Sequence, residues 1–257
     1  MSKNEVPHSR ANAVNFFLNY IAANNSGLTG RAVYDISSGS GYIAQKFSDA
    51  GASVKIFDLF PEQNTRSNLT CEKIDLQQPF PIADAAADIV VCAETIEHLP
   101  NQHFFFKEVA RITKKGGIVL LTTPNPSSLR SRLSQFLMES EHYSYPAPNE
   151  TDAFTRWGDE DKGYFSKLFI SGILRLRTLA ALQQLVIHKI HPSPKSSTAI
   201  LLLVIFYPFI YFFSRKNLKK QLRNDPTHTS VYKEIFDINT SIKVLTGKHL
   251  ILEFCKK

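Results

Sequence analysis

The apolar positions of this chain change period as the chain advances, and the changes mark out its elements. Residues 11–24 place Val14, Phe16, Phe17, Leu18, Tyr20 and Ile21 at roughly helical spacing, and Asn25 with Gly27 ends the run. Residues 32–36 are β-rich and enter a Ser/Gly turn, after which helix-compatible sequence begins near Tyr42 and stops at Gly51. Residues 53–57 read as a second strand and 72–75 as a third. Residues 88–93 read as a fourth, nearly all apolar, as a strand covered on both faces should be. A helix is expected over 102–114, closed by Lys115, Gly116 and Gly117 as a glycine cap, and a fifth strand over 118–123.

The second half is less regular. Residues 127–138 form a basic helical pattern with Leu129, Leu133 and Leu137 on one face. A polar loop carrying His142, Tyr143, Tyr145, Trp157 and Tyr164 follows. Strand composition returns at 185–190 and again at 249–254. Between these lies an uncharged run, 199–213, reading AILLLVIFYPFIYFF, with Arg215, Lys216, Lys219, Lys220 and Arg223 directly after it.

A helix of fifteen residues reaches about 22 Å, short of a hydrocarbon core of about 30 Å, and Pro208 is expected to kink it. Spanning is therefore not expected. An apolar wedge with a basic collar fits an anionic membrane surface, with an oligomer contact and a buried core helix as the other readings. The density of aromatic residues, which would need cover on every side, favours the membrane.

Chemistry concentrates between Arg31 and Phe47, where the sequence RAVYDISSGSGYIAQKF sets a glycine turn between a strand and a helix. Gly39 and Gly41 allow close backbone approach to a ligand, and the N–H groups opening the helix point into the same space. Gly39-x-Gly41-x-x-Ala44 also fits a dinucleotide turn, with Asp58 placed for a ribose hydroxyl. Asp35 separates the two readings. A pyrophosphate beside this carboxylate would cost on the order of 4 kcal/mol at about 4 Å and an effective dielectric near 20, whereas a cationic ligand would gain.

The stretch VYDISSGSG resembles motif I of the class I S-adenosylmethionine-dependent methyltransferases, whose donor carries an ammonium and a sulfonium; Ser37 stands where the family usually has its first glycine. The resemblance extends over 31–125. It implies a doubly wound, Rossmann-like α/β fold with a seven-stranded, mostly parallel sheet and an antiparallel C-terminal strand, and a region at 126–183 that closes over the acceptor. The length of the chain fits one domain over 1–257 with its core at 28–125, and the residues between the last two strands, 192–247, are an apolar insertion of this chain's own.

Carried residue by residue onto this chain, the resemblance implies a donor pocket of Asp35, Ser37, Gly39, Gly41, Asp58, Leu59, Asp75, Leu76, Ala93 and Glu94. Asp58 would accept from the ribose hydroxyls and Asp75 from the adenine amine. The segment Glu94-Thr-Ile-Glu97-His98 falls at the C-terminal edge of the sheet, where doubly wound folds bind ligands. His98 would accept a proton from an acceptor hydroxyl, with Glu97 orienting it. The other reading is a loop whose histidine packs on the donor or caps the helix starting near Asn101.

The implied activity is methyl transfer to an oxygen of a sugar, glycan or lipid-linked acceptor, as in envelope-polysaccharide synthesis. The alternatives are a quinone precursor or other lipid-soluble phenol, and a non-catalytic membrane-associated scaffold.

Composition narrows the rest. The chain of 257 residues is 43% hydrophobic, enough for one full core, and its 30 Lys and Arg against 23 Asp and Glu favour anionic surfaces. Cys71, Cys92 and Cys255 form no CxxC pair, so neither a disulfide framework nor a zinc site is expected. No metal-ligand spacing or basic-aromatic stripe for nucleic acid is apparent. The opening MSKNEVPHSRANAV has no apolar h-region, so a cytoplasmic protein, peripheral on the inner face of the membrane, is expected.

Overall fold

The computed structural model describes residues 8–140, 149–156 and 163–257. They divide into two compact units, the first built from the residues up to Thr123 with Arg177–His191 and Ile251–Lys257, the second from Pro124–Leu176 and Pro192–Leu250.

In chain order the elements are α1 (His8–Asn24), β1 (Ala32–Asp35), α2 (Tyr42–Asp49), β2 (Ser53–Asp58), β3 (Cys71–Lys73), β4 (Ala87–Ala93), α3 (Gln102–Ile112) and β5 (Thr113–Pro124). There follow α4 (Leu129–Met138), β6 (Phe154–Arg156), β7 (Gly163–Phe165), α5 (Ile173–Ala181), β8 (Leu185–Ile190), α6 (Ser197–Asn224), α7 (Thr229–Thr240), α8 (Ile242–Thr246) and β9 (His249–Lys256).

Seven strands form one sheet in the order β3-β2-β1-β4-β5-β9-β8. β1 pairs in parallel with β2 on one side and β4 on the other, so the strand order reverses between β1 and β4. That reversal opens a crevice at the C-terminal ends of the two strands. β2–β3 and β4–β5 are also parallel, and β9 runs antiparallel to β8. The expected seven-stranded α/β sheet with its antiparallel closing strand is present, and α6, α7 and α8 occupy the insertion between β8 and β9.

The sheet is held by apolar packing on its faces. Phe17 and Ile21 of α1 and Phe47 of α2 pack with Val33, Ile89, Val91 and Leu120 in one buried cluster. Every residue of β4 from Ile89 to Cys92 is buried, which is why this strand carries no alternation.

The segment Lys114–Gly117 departs from expectation. α3 ends at Ile112 without a glycine cap, because the Lys256 amine donates to the carbonyls of Ala110 and Thr113 at its end. The two glycines instead lie in β5, where the register with β4 jumps from Ala87↔Thr113 to Ile89↔Ile118. They accommodate that irregularity: Gly116 has φ +75°, and a Cβ on Gly117 would meet the Lys114 carbonyl oxygen at 2.8 Å.

In the second unit, Ser128 caps α4 by accepting from the Ser131 N–H at 3.2 Å, and Leu129 joins Ala199 and Leu245 in a separate buried cluster. Most of the expected aromatic loop, including His142, Tyr143, Tyr145 and Trp157, lies outside the described residues. Tyr164 falls in β7, which pairs antiparallel with β6. The apolar run is part of a 28-residue helix, α6, that begins before it and continues through Pro208 into the basic stretch.

Asn125 locks this unit internally. Its amide donates to the carbonyls of Val244 and Gly247, each at 2.8 Å, and its Oδ1 accepts from the Ser127 N–H at 3.0 Å. Replacing Asn125 with Ala strands three buried backbone groups, so chemical denaturation should show a loss of about 3 kcal/mol.

Candidate active site

The sequence-predicted acids gather around the crevice because β1, β2 and β4 all end there. Asp35 closes β1 and is 2% exposed, with its Oδ1 accepting from the Ser37 N–H at 3.2 Å. Burial, together with the like charge of Asp58, raises its pKa to about 7, while the Ser37 bond pulls the other way.

Asp58 closes β2 and binds the glycine turn directly. Its Oδ2 accepts from the Gly39 N–H at 2.8 Å and its Oδ1 from the Phe60 N–H at 2.9 Å. A carboxylate offers about four lone-pair sites, so acceptor capacity for two hydroxyls remains.

The two glycines do different things. Gly39 has φ +49° and nothing within 4 Å of where a Cβ would stand, so its surface is open to a ligand. Gly41 has φ +77°, and a Cβ there would sit 2.2 Å from Asn64 Oδ1 and 2.7 Å from Ser67 Oγ. Its close approach is to the chain's own loop after β2 rather than to a ligand. That loop is fixed by Arg66 N–H to the Ser40 carbonyl at 2.9 Å and by Ser67 Oγ to Asn64 Oδ1 at 2.7 Å.

Ser37 is accommodated in an unexpected way. A hydroxyl bond to the Asp35 carboxylate is one way to tolerate a serine there, but the backbone N–H fills that role. The hydroxyl accepts from the Ala93 N–H at 3.1 Å and so ties the turn to the end of β4. Beyond Ala93, Glu94 adopts φ +52°, a conformation unusual for a non-glycine residue and frequent at functional sites. Its N–H is held by the Thr122 carbonyl at 2.9 Å.

Glu97 and His98 follow in a short 3-10 turn, Ile96–His98. Glu97 is fully buried and its Oε2 accepts from Thr123 Oγ1 at 2.9 Å, while His98 is half-buried. The cap of α3 belongs to Asn101, whose Oδ1 accepts from the Phe104 N–H at 3.0 Å. The Phe104 N–H at the start of α3 is thus capped by Asn101 and not by His98. Asp75 is half-buried in a turn, its Oδ1 accepting from the Gln77 N–H at 2.9 Å, beside buried Leu76; Leu59 is half-buried next to Asp58.

Cys92 is a residue that sequence reasoning left aside. Burial pushes its thiol up, a Ser37 hydrogen bond opposes this, and the nearby charges of Glu97, Asp35 and Glu94 push it further. The crevice thus gathers the carboxyl groups of Asp35, Asp58 and Glu94 beside an open backbone surface, an arrangement that favours a cation, which would stabilise the ionised form of Asp35 that burial disfavours.

The sequence profile of a family described as a methyltransferase domain matches residues 8–225. This chain belongs to that methyltransferase family. Its relatives include a ubiquinone biosynthesis O-methyltransferase of Aliivibrio fischeri (strain MJ11), 32% identical over 117 residues, 42% of this chain and 50% of the relative. The chain therefore spans about half the length of the curated relatives it matches.

Among solved structures, a SAM dependent methyltransferase from Archaeoglobus fulgidus superimposes with a TM-score of 0.54 at 13% identity, covering 95% of this chain and 94% of that one. Magnesium protoporphyrin IX methyltransferase from Synechocystis PCC 6803, solved with bound SAH, gives 0.53 at 13% identity, covering 95% and 82%. At such identities these likenesses establish the class I fold. S-adenosylmethionine is the methyl donor of the family, and an acidic crevice with open space over Gly39 fits a cationic donor.

Two predictions follow from this geometry. Gly41→Ala should destabilise the fold by about 2 kcal/mol or more, through both its φ and its clash with Asn64. Gly39→Ala should cost only about 1 kcal/mol, through φ alone, yet weaken donor binding more than its stability loss explains; melting curves and donor titrations of the two variants read this out.

The second concerns Asp35. Its carboxyl is neutral in the folded state up to pH about 7 but ionises near 3.8 when unfolded, so its contribution to stability falls as pH rises between those values and stays lost above. Asp35→Asn should therefore leave stability unchanged near pH 4. At pH 8 it should raise it, by an amount on the order of 4 kcal/mol at most, as urea titrations at the two pH values would show.

Proposed function

We propose that this chain transfers the methyl group of S-adenosylmethionine to a hydroxyl oxygen of a lipid-soluble acceptor. The observation that carries the reading is the buried carboxylate of Asp35 at the strand-order reversal, beside the open backbone of Gly39. When bound, the donor supplies an electrophilic methyl group whose bond to sulfur breaks as the bond to the acceptor oxygen forms.

Asp35, Ser37 and Gly39 would hold the charged methionine portion, with Gly41 acting through the turn it permits. Asp58 and Leu59 would hold the ribose, Asp75 and Leu76 the adenine, and Ala93 and Glu94 would line the same pocket. His98 would accept the proton released by the acceptor hydroxyl, in a turn anchored by the Glu97–Thr123 bond. Alignment and exclusion of water supply most of the acceleration, so the base is an aid and not the source of the rate.

Two acceptor classes suit an oxygen acceptor at a membrane. The resemblance and the apolar insertion fit a sugar, glycan or lipid-linked acceptor. The ubiquinone biosynthesis O-methyltransferases among the relatives support instead a quinone precursor or similar lipid-soluble phenol, and we adopt that class. Residues 126–183 would recognise it. Residues 199–223 would meet an anionic membrane surface, placing the protein in the cytoplasm at the inner face of the membrane.

The test is methyl transfer from labelled donor to a catechol bearing an alkyl chain, with a soluble sugar as comparison. Label should appear in the catechol. His98→Ala should lower kcat about tenfold to a hundredfold with little change in donor KM, and Asp58→Asn should raise donor KM. Donor binding without transfer to any hydroxyl acceptor would contradict the reading.

A further inference from the structure

The exposed surface of α6 has an order along the helix that the composition of the insertion does not reveal. Leu201, Ile205, Phe209 and Phe212 are between 53% and 63% exposed and recur at three- and four-residue spacing, so they share one face. The same spacing continues without a break through Lys216, Lys219 or Lys220, and Arg223, all exposed. The stripe is thus apolar for its first turns and cationic for its last.

The N-terminal end of the helix is also cationic. Lys195 immediately precedes the Ser196 cap, Lys248 donates its N–H to the Pro194 carbonyl at 2.9 Å, and both side chains are exposed. The apolar part of the stripe, about 18 Å long, therefore lies between two groups of positive charge.

At 28 residues, α6 reaches about 42 Å, and it is apolar enough to cross a bilayer. Its other face argues against crossing. Leu203, Tyr207 and Ile210 pack on the cluster of Leu129, Ala199 and Leu245, and Tyr211 meets Phe236 of α7 edge-on at 5.6 Å. Crossing would draw α7, with exposed Lys233 and Asp237, into hydrocarbon at about 2.5–3.5 kcal/mol for each charge.

We propose that α6 lies in the plane of an anionic membrane surface, seated by the stripe from Leu201 to Phe212, with both cationic ends at headgroup level. This rests on the membrane contact proposed above and adds its geometry. An in-plane helix presents both groups of cations to the same anionic leaflet, whereas a spanning helix presents only one of them. A second copy of the chain fits this face less well, since it would bring the same cations against these.

Leu201→Trp, Phe209→Trp and Phe212→Trp, each at an exposed site, test the geometry on vesicles of phosphatidylcholine with and without phosphatidylglycerol. Lipids brominated at different acyl depths quench the tryptophan, and the wild type with its native Trp157 gives the background. All three positions should be quenched at one shallow depth, only when phosphatidylglycerol is present. Joint replacement of Lys216, Lys219, Lys220 and Arg223 by Glu should weaken binding about tenfold or more.

Depth increasing steadily from Phe212 to Leu201 would overturn the in-plane seating while leaving membrane contact intact. No quenching at any position, with dimers in sedimentation that Phe209→Glu dissolves, would overturn the membrane contact and this inference with it.

Discussion

The crevice is organised around a carboxylate kept where water cannot reach it. Asp35 ends β1 at the reversal of strand order, 2% exposed, with one backbone N–H bond and Asp58 as a like-charged neighbour. Ionised, it destabilises the fold; neutral, it has little to offer a cation. A bound sulfonium or ammonium reverses the balance, because it stabilises the charged form that burial disfavours. The surrounding parts hold the crevice in this state: Asp58 grips Gly39, Ser37 ties the turn to Ala93, and Asn64 with Ser67 backs Gly41.

Much of this was legible in the sequence, for a physical reason. The five parallel strands and the helices among them are set by period and by turn residues over short distances, and that pattern locates each strand to within a few residues, apart from the start of β5 at Thr113. What was missed depends on partners far apart in the chain. The lysine that ends α3 comes from residue 256, so Gly116 and Gly117 looked like a cap when they serve an irregularity in β5. The need for glycine at 41 comes from Asn64 and Ser67, which no motif connects to it. The bond from Thr123 to Glu97 was equally invisible, since it joins two elements 26 residues apart.

The insertion illustrates the opposite difficulty. Its fifteen uncharged residues were obvious, but a run of uncharged residues does not say where its helix ends. The helix continues into the basic stretch, so apolar and cationic residues share one face in sequence along its axis instead of opposing each other around it. On the reading proposed above, a lipid-soluble acceptor would be met at a bilayer, and a helix seated flat on the headgroups would hold the protein there without crossing.

The most direct test of the central role of Asp35 is the number of protons exchanged when the donor binds. Calorimetric titration with S-adenosylmethionine at pH 6, in buffers of different ionisation enthalpy, measures it. With a carboxyl that titrates near pH 7 when empty and is ionised in the complex, binding should release close to one proton, and Asp35→Asn should abolish the release. Tight binding by the wild type with no proton released would contradict the account.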